Sequence, residues 1–261
     1  MGGLVSTIAF PHPSRTLSAR ALRERAARNQ LVHLMTKNGL KIPAIHLQRP
    51  YSKYTILYSH GNAEDLGLIL SYLDRMQHVL QCSVFAYEYP GYSIADGEPS
   101  EENCYHGINA AYDYLTNNKG IDPSKIVVFG RSLGTGPSVD LCSRLSDAPL
   151  AGCILQSPLE SGIRCAMGTC SSMALHPLDI FLSYAKAEHI TCPVFIIHGQ
   201  ADRVVPCANG QNLYNILQER QCHNEVAYDP VWLEGRGHND MPEDECLEHC
   251  KTFIEYWDQN R

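Results

Sequence analysis

Five times along this chain a short run rich in β-branched and aromatic residues is followed by a run of helical character, and that alternation limits the fold more than any other feature. The strand-like runs are Tyr54 to Ser59, Ser83 to Tyr87, Lys125 to Phe129, Cys192 to His198 and Ala227 to Leu233, with a sixth at Gly152 to Gln156. The helical runs are Ala63 to His78, Glu101 to Asn117, Leu133 to Leu145, Ala208 to Glu219 and Glu243 to Asp258. Repeated β-then-α order imposes right-handed crossovers, and hence a mostly parallel central sheet with helices on both faces. Ahead of it, Leu31 to Thr36 and Leu40 to Gln48 alternate in polarity around Lys37-Asn38-Gly39, which predicts an antiparallel N-terminal hairpin.

At 261 residues and 44% apolar content the chain has enough material for one large core, so residues 31–261 read as a single α/β domain. Its uncharged apolar runs are far shorter than the ~20 residues a spanning helix needs. The net charge is −7, and the basic residues Arg15, Arg20, Arg23, Arg25 and Arg28 crowd into residues 1–30, leaving the remainder strongly acidic. A nucleic-acid partner is excluded on that balance. Eleven cysteines without a C-x-x-C pair, and no secretory apolar segment, predict reduced thiols and an intracellular setting. Cys246, His249 and Cys250 share a helix face but suit its packed side better than a zinc site, so no metal is expected.

Parallel sheets of this kind carry their chemistry at the carboxyl ends of the strands. Directly after the Lys125 to Phe129 run stands Gly130-Arg131-Ser132-Leu133-Gly134, the G-x-S-x-G pattern in which glycines permit a tight strand-to-helix turn that projects the serine. A serine hydroxyl needs a base, and the base needs a group to fix its tautomer. Asp202, in the loop after Cys192 to His198, and His238, in the glycine-flanked loop after the last strand, supply them; Asp229 and Asp240 are rival acids. The chain order Ser132, Asp202, His238 is that of α/β-hydrolases. Backbone N–H groups of Asn62, Ala63 and Leu133 are the candidate oxyanion donors. His60 reads as a hydrogen-bonding brace for the oxyanion loop, and Arg131 reads equally as a substrate contact or as a partner to a nearby acid.

Five segments in order, His60-Gly61-Asn62-Ala63-Glu64-Asp65-Leu66-Gly67, Tyr87-Glu88-Tyr89-Pro90-Gly91-Tyr92, Gly130-Arg131-Ser132-Leu133-Gly134-Thr135, Ser157-Pro158-Leu159-Glu160-Ser161-Gly162 and Gly237-His238-Asn239-Asp240, resemble the α/β-hydrolase domain-containing protein 17 family. The resemblance runs from about residue 31 to the C-terminus. It implies the α/β-hydrolase fold, a catalytic triad of Ser132, Asp202 and His238, no cofactor, and removal of palmitate from cysteines of membrane-associated proteins.

Animal members of that family begin with an acylated cysteine cluster, whereas the first cysteine here is Cys82. Met1-Gly2-Gly3-Leu4-Val5-Ser6 fits the pattern for N-myristoylation of Gly2, and the Arg15 to Arg28 cluster would add attraction to an anionic membrane surface. An organelle transit peptide or a solvated helix are the competing readings of the same segment. The expectation is therefore a serine hydrolase acting on S-acylated proteins at the cytoplasmic face of membranes, with a cytosolic location as the alternative. A serine peptidase or general carboxylesterase of the same fold, and an inactive hydrolase-fold scaffold, are the other readings.

Overall fold

The computed structural model describes residues 15–28, 30–145, 150–167, 179–219 and 227–259. They fall into two compact units, divided between Ile126 and Val127.

In the first unit, helix α1 (Arg15–Ala27) precedes β1 (Leu31–Met35) and β2 (Lys41–Leu47). These two strands form the expected antiparallel hairpin, with Leu31 opposite Ile45 and Met35 opposite Lys41. Gly39 takes φ of +81° in the turn, which is the conformation the Asn-Gly pair was expected to accept. β3 (Thr55–Ser59) and β4 (Ser83–Tyr87) pair in parallel, and the order across this unit is β1-β2-β4-β3. β2 runs antiparallel to β4 as well as to β1. Every residue of β3 and β4 is buried, as strands covered on both faces must be.

Helix α2 (Leu70–Leu80) starts seven residues later than its apolar pattern predicts. Side-chain carboxylates explain the delay. The Gly61 amide donates to Glu64, the Leu68 amide to Asp65 and the Leu66 amide to Glu88, so residues 61–69 satisfy their donors in turns rather than in helical bonds. Helix α3 (Glu101–Asp113) begins at a Ser100 cap that accepts from the Asn103 amide, and carries Glu101 and Glu102 in its first turn, where the helix dipole favours them. Its C-terminal end widens into a π-helical turn, Tyr114–Asn118, which the sequence pattern did not distinguish from ordinary helix.

β5 (Ile126–Arg131) leads into the second unit, where β6 (Gly152–Gln156), β7 (Val194–Gly199) and β8 (Val231–Leu233) follow in the spatial order β5-β6-β7-β8, all parallel. β8 is shorter than its β-rich run. Ala227 bridges to Val194 and Tyr228 donates to the Val194 carbonyl, but Pro230 has no N–H to continue the ladder. The α-helices among the described residues of this unit are α4 (Thr135–Arg144), α5 (Gly162–Met167), α6 (Ser183–Lys186), α7 (Ala208–Gln218) and α8 (Glu243–Gln259). α8 buries Cys246, Leu247, Cys250, Phe253 and Ile254, with Phe253 stacked on Phe195 of β7 at 5.5 Å between ring centroids. Burial pushes the Cys246 thiol up to about 12. Among the described residues no group of three or more His, Cys, Asp or Glu is arranged to hold a metal ion, and no helix is long and apolar enough to cross a membrane. The nine cysteines described are all free thiols.

Candidate active site

The site is assembled from the carboxyl ends of three strands of the second unit. β5 ends at the G-x-S-x-G turn, and Ser132 there takes φ of +51°, a left-handed conformation that a side chain adopts only under constraint. The constraint is local. Thr135 Oγ1 donates to the Ser132 carbonyl at 2.7 Å, Ser138 Oγ donates to the Gly134 carbonyl at 2.8 Å, and a 3₁₀ turn over Ser132–Gly134 runs straight into α4. A Cβ on Gly130 would lie 2.5 Å from the Gly134 carbonyl oxygen, so only glycine lets strand and helix approach this closely.

Asp202 lies on the turn after β7, with both carboxylate oxygens fully engaged. Oδ1 accepts the amides of Val204 and Val205, each at 2.8 Å, while Oδ2 accepts His238 Nδ1 at 2.7 Å. A second histidine, His198 on β7, stands 3.3 Å from the same Oδ2 and donates through Nε2 to the Val205 carbonyl at 2.9 Å. Burial alone would raise the Asp202 pKa. Hydrogen bonds from His198, His238 and the Val205 amide outweigh it and hold the carboxyl well below the usual carboxylate range.

His238 sits in the loop after β8. Gly235 turns that loop with φ of +68°, and the Ala201 amide donates to the Arg236 carbonyl at 2.8 Å, tying the histidine loop to the aspartate loop. A Cβ at Gly199 would collide with that same Arg236 carbonyl. Against this frame, His238 Nε2 faces Ser132 Oγ at 2.9 Å. With Nδ1 donating to the carboxylate, Nε2 is left to accept the serine proton.

The rival acids do other things. Asp240 accepts the Gly237 amide and braces the histidine loop, and Asp229 is exposed. Arg131 Nη2 reaches Asn239 Oδ1 at 3.4 Å, beside His238 in sequence. The sequence pattern alone does not single out His198, although its place four residues before Asp202, at the end of an apolar strand, is a usable signal.

In the first unit, Asn62 and Ala63 lie in the turn after β3, where Asn62 Oδ1 accepts from the Tyr92 hydroxyl at 2.6 Å. His60 is fully buried, with Nε2 on Glu88 at 2.8 Å and Nδ1 on the Gly61 carbonyl at 2.8 Å, a bracing position for that turn. Gly2 and the myristoylation pattern lie outside the described residues. The arginine cluster is less available to a membrane than its sequence suggests. Arg25 is 8% exposed, paired with Asp74 and bonded to Gln30, and Arg20 pairs with Glu24 at 3.8 Å. Arg23 and Arg28 are exposed.

The chain is 39% identical over 208 residues to mouse α/β-hydrolase domain-containing protein 17C, a match that covers 79% of this chain and 61% of that protein. It is 38% identical over 221 residues to α/β-hydrolase domain-containing protein 17B of Xenopus tropicalis, covering 84% and 73%. The chain belongs to the α/β-hydrolase domain-containing protein 17 family. It spans about 61% of the length of the 17C relative. A family model described as "Chlamydia CHLPS protein (DUF818)" matches residues 19–144. Among solved structures, an α/β-hydrolase from Vibrio vulnificus aligns with a TM-score of 0.73 at 18% identity, covering 98% of this chain and 94% of that one. The esterase Pf2001 of Pyrococcus furiosus aligns at 0.71 and 15% identity, covering 95% and 98%. These likenesses show the α/β-hydrolase fold.

Proposed function

We propose that this family 17 protein is a serine hydrolase that cleaves S-acyl (palmitoyl) thioesters of membrane-associated proteins through an acyl-enzyme on Ser132. The observation that carries the reading is the continuous path from Ser132 Oγ to His238 Nε2 at 2.9 Å and from His238 Nδ1 to Asp202 Oδ2 at 2.7 Å. In the first half-reaction Ser132 Oγ attacks the acyl carbonyl as His238 takes its proton, and the oxyanion develops near the Leu133 amide. The tetrahedral intermediate collapses with loss of the cysteine sulfur, which carries off the proton held on His238 and leaves the imidazole neutral. In the second half-reaction His238 takes a proton from water, hydroxide adds to the acyl-serine, and Ser132 leaves with the proton that His238 returns. Asp202 holds the imidazole in the tautomer with Nδ1 protonated and balances its charge when both nitrogens carry protons.

A thiol of pKa ~8.5 leaves without the full protonation an amine requires, so a thioester asks less of His238 as an acid than a peptide does. Val204, exposed on the Asp202 loop, presents an apolar side chain beside the acid, as an acyl substrate would favour. Residence at the cytoplasmic face of an anionic membrane is part of the proposal, with Gly2 as the acylated residue and Arg23 and Arg28 as the accessible cations; the protein requires no cofactor in this scheme.

The test is a matched panel of acyl-cysteine, acyl-serine and acyl-lysine peptides hydrolysed by the wild type and by Ser132→Ala. The thioester is expected to turn over fastest, and the variant to lose at least ~10³-fold. Preference for the amide would overturn the substrate class, and thioester turnover unchanged in a folded Ser132→Ala protein would overturn the mechanism.

A further inference from the structure

A second site lies in the first unit, in a cleft at the amino ends of β3, β4 and β5, bordered by Thr55, Ser83 and Lys125. Its volume is about 510 Å³, within the range of small-molecule sites and too large for a monatomic ion. Its charge is opposite to that of the protein. In a chain of net charge −7, this cleft gathers Arg49, Lys53, Lys119 and Lys125 against a single carboxylate, Asp122. Four cations around one concavity repel one another, and concave walls of low dielectric concentrate their field.

Lys125 acts electrostatically on Asp122, while Arg49 and Lys119 meet neutral groups. Arg49 donates to the Gln81 side-chain amide, and the Lys119 ammonium lies 5.4 Å from the Tyr114 ring centroid. Asp122 spends its carboxylate on the Ser124 amide at 2.8 Å. Donors are also in place. Ser52 Oγ and Ser83 Oγ are 2.8 Å apart and share one proton, which leaves a second hydroxyl proton over. Between the cations sits His46, 6% exposed, ringed edge-on by Phe85 and Tyr114 and making no side-chain hydrogen bond to the described residues. The ring borders the cleft, so its N–H can reach a molecule held there. Burial, reinforced by Lys119, pushes the His46 pKa down to about 4, so the ring is neutral at pH 7 and offers one N–H donor.

We propose that this cleft binds a multiply charged phosphate anion, with Arg49, Lys119 and Lys125 neutralising it and His46 and the Ser52–Ser83 pair donating to its oxygens. Phosphate is the chemistry that fits: several oxygens spread over a volume this large can meet three separated cations and neutral donors at once. The site is separate from the hydrolytic one, because Lys125 precedes β5 and Ser132 follows its other end, ~20 Å of strand away. A soluble phosphate ester and a phosphoinositide headgroup share this chemistry, and the experiment separates them.

Inositol 1,4,5-trisphosphate is titrated calorimetrically into the full 261-residue chain, and in parallel the protein is floated with phosphatidylcholine vesicles with and without phosphatidylinositol 4,5-bisphosphate. Saturable binding of the trisphosphate is expected, weakened at least ~10-fold by each of Arg49→Gln and Lys125→Gln. Asp122→Asn is expected to tighten it several-fold, a gain that a damaged fold would not produce. Capture by the phosphoinositide vesicles in addition identifies the headgroup as the source, and binding of the trisphosphate alone identifies a soluble ester. No binding of either probe by the wild type, or binding indifferent to all three substitutions, overturns the proposal.

Discussion

Glu88 is the residue whose replacement tests the packing argument most sharply. Three buried donors converge on it: His60 Nε2 at 2.8 Å and the Tyr89 amide at 3.2 Å on Oε1, and the Leu66 amide at 3.0 Å on Oε2. Both Glu88 and His60 are fully buried. The other nitrogen of His60 faces the Gly61 carbonyl, which only accepts, so Nδ1 carries a proton and Nε2 shares one more with Glu88. The pair is therefore neutral as a whole, which is how it survives burial. In Glu88→Gln the new amide donates to His60 Nε2 while its oxygen keeps the Leu66 amide. Only the long Tyr89 contact is lost, at about 1 kcal/mol. Glu88→Ala strands all three groups away from water, each at ~1–3 kcal/mol, and adds a cavity, for roughly 4–10 kcal/mol in total. Urea titrations followed by circular dichroism measure both. In thermal scans the glutamine variant should melt ~2–4 °C below wild type and the alanine variant more than ~10 °C below. Equal stabilities for the two variants would refute the reasoning, because the alanine would then have left nothing unpaired.

Three other perturbations have definite outcomes. Gly130→Ala places a methyl group 2.5 Å from the Gly134 carbonyl and should cost ~2 kcal/mol or more in denaturant titrations, along with most of the activity. Asp202 has a folded-state pKa below its unfolded value of ~3.9, so its contribution to stability is complete above that pH and disappears as pH falls through the folded value. Melting temperatures should thus fall more steeply below about pH 4 in wild type than in Asp202→Asn, which should also lose roughly 10³- to 10⁴-fold in turnover. Arg25→Gln breaks the pair with the half-exposed Asp74, at roughly 1 kcal/mol, and should speed hydrogen exchange over Ala21 to Ala27; unchanged exchange would mean that the pair does not hold α1 in place.

What the sequence made legible is what local chemistry decides. Asn38-Gly39 marks a turn because few other residues accept its geometry, and β-then-α order leaves few topologies to choose from. The convergence of Ser132, Asp202 and His238 is readable because each follows a strand of the second unit, where a strand's end fixes the direction of a side chain. The start of α2 was not readable: the apolar spacing over 63–69 is helical, and what diverts it is Glu88, some twenty residues away, capturing the Leu66 amide. Arg25 illustrates the same limit. In sequence it belongs to a basic cluster, and only the fold shows that Asp74, 49 residues on, has claimed it. His198 lay in a recognised strand, but its contact with Asp202 depends on how tightly the loop turns back after Gly199.

In the proposed mechanism His238 and Asp202 make Ser132 nucleophilic. Mass spectrometry of the intact protein and its peptides after treatment with a fluorophosphonate measures this directly. One adduct per chain, located on Ser132, absent in Ser132→Ala and slowed at least ~10³-fold in His238→Ala, is the predicted result. A folded wild-type protein that stays unlabelled, or that carries the adduct on another residue, would contradict it.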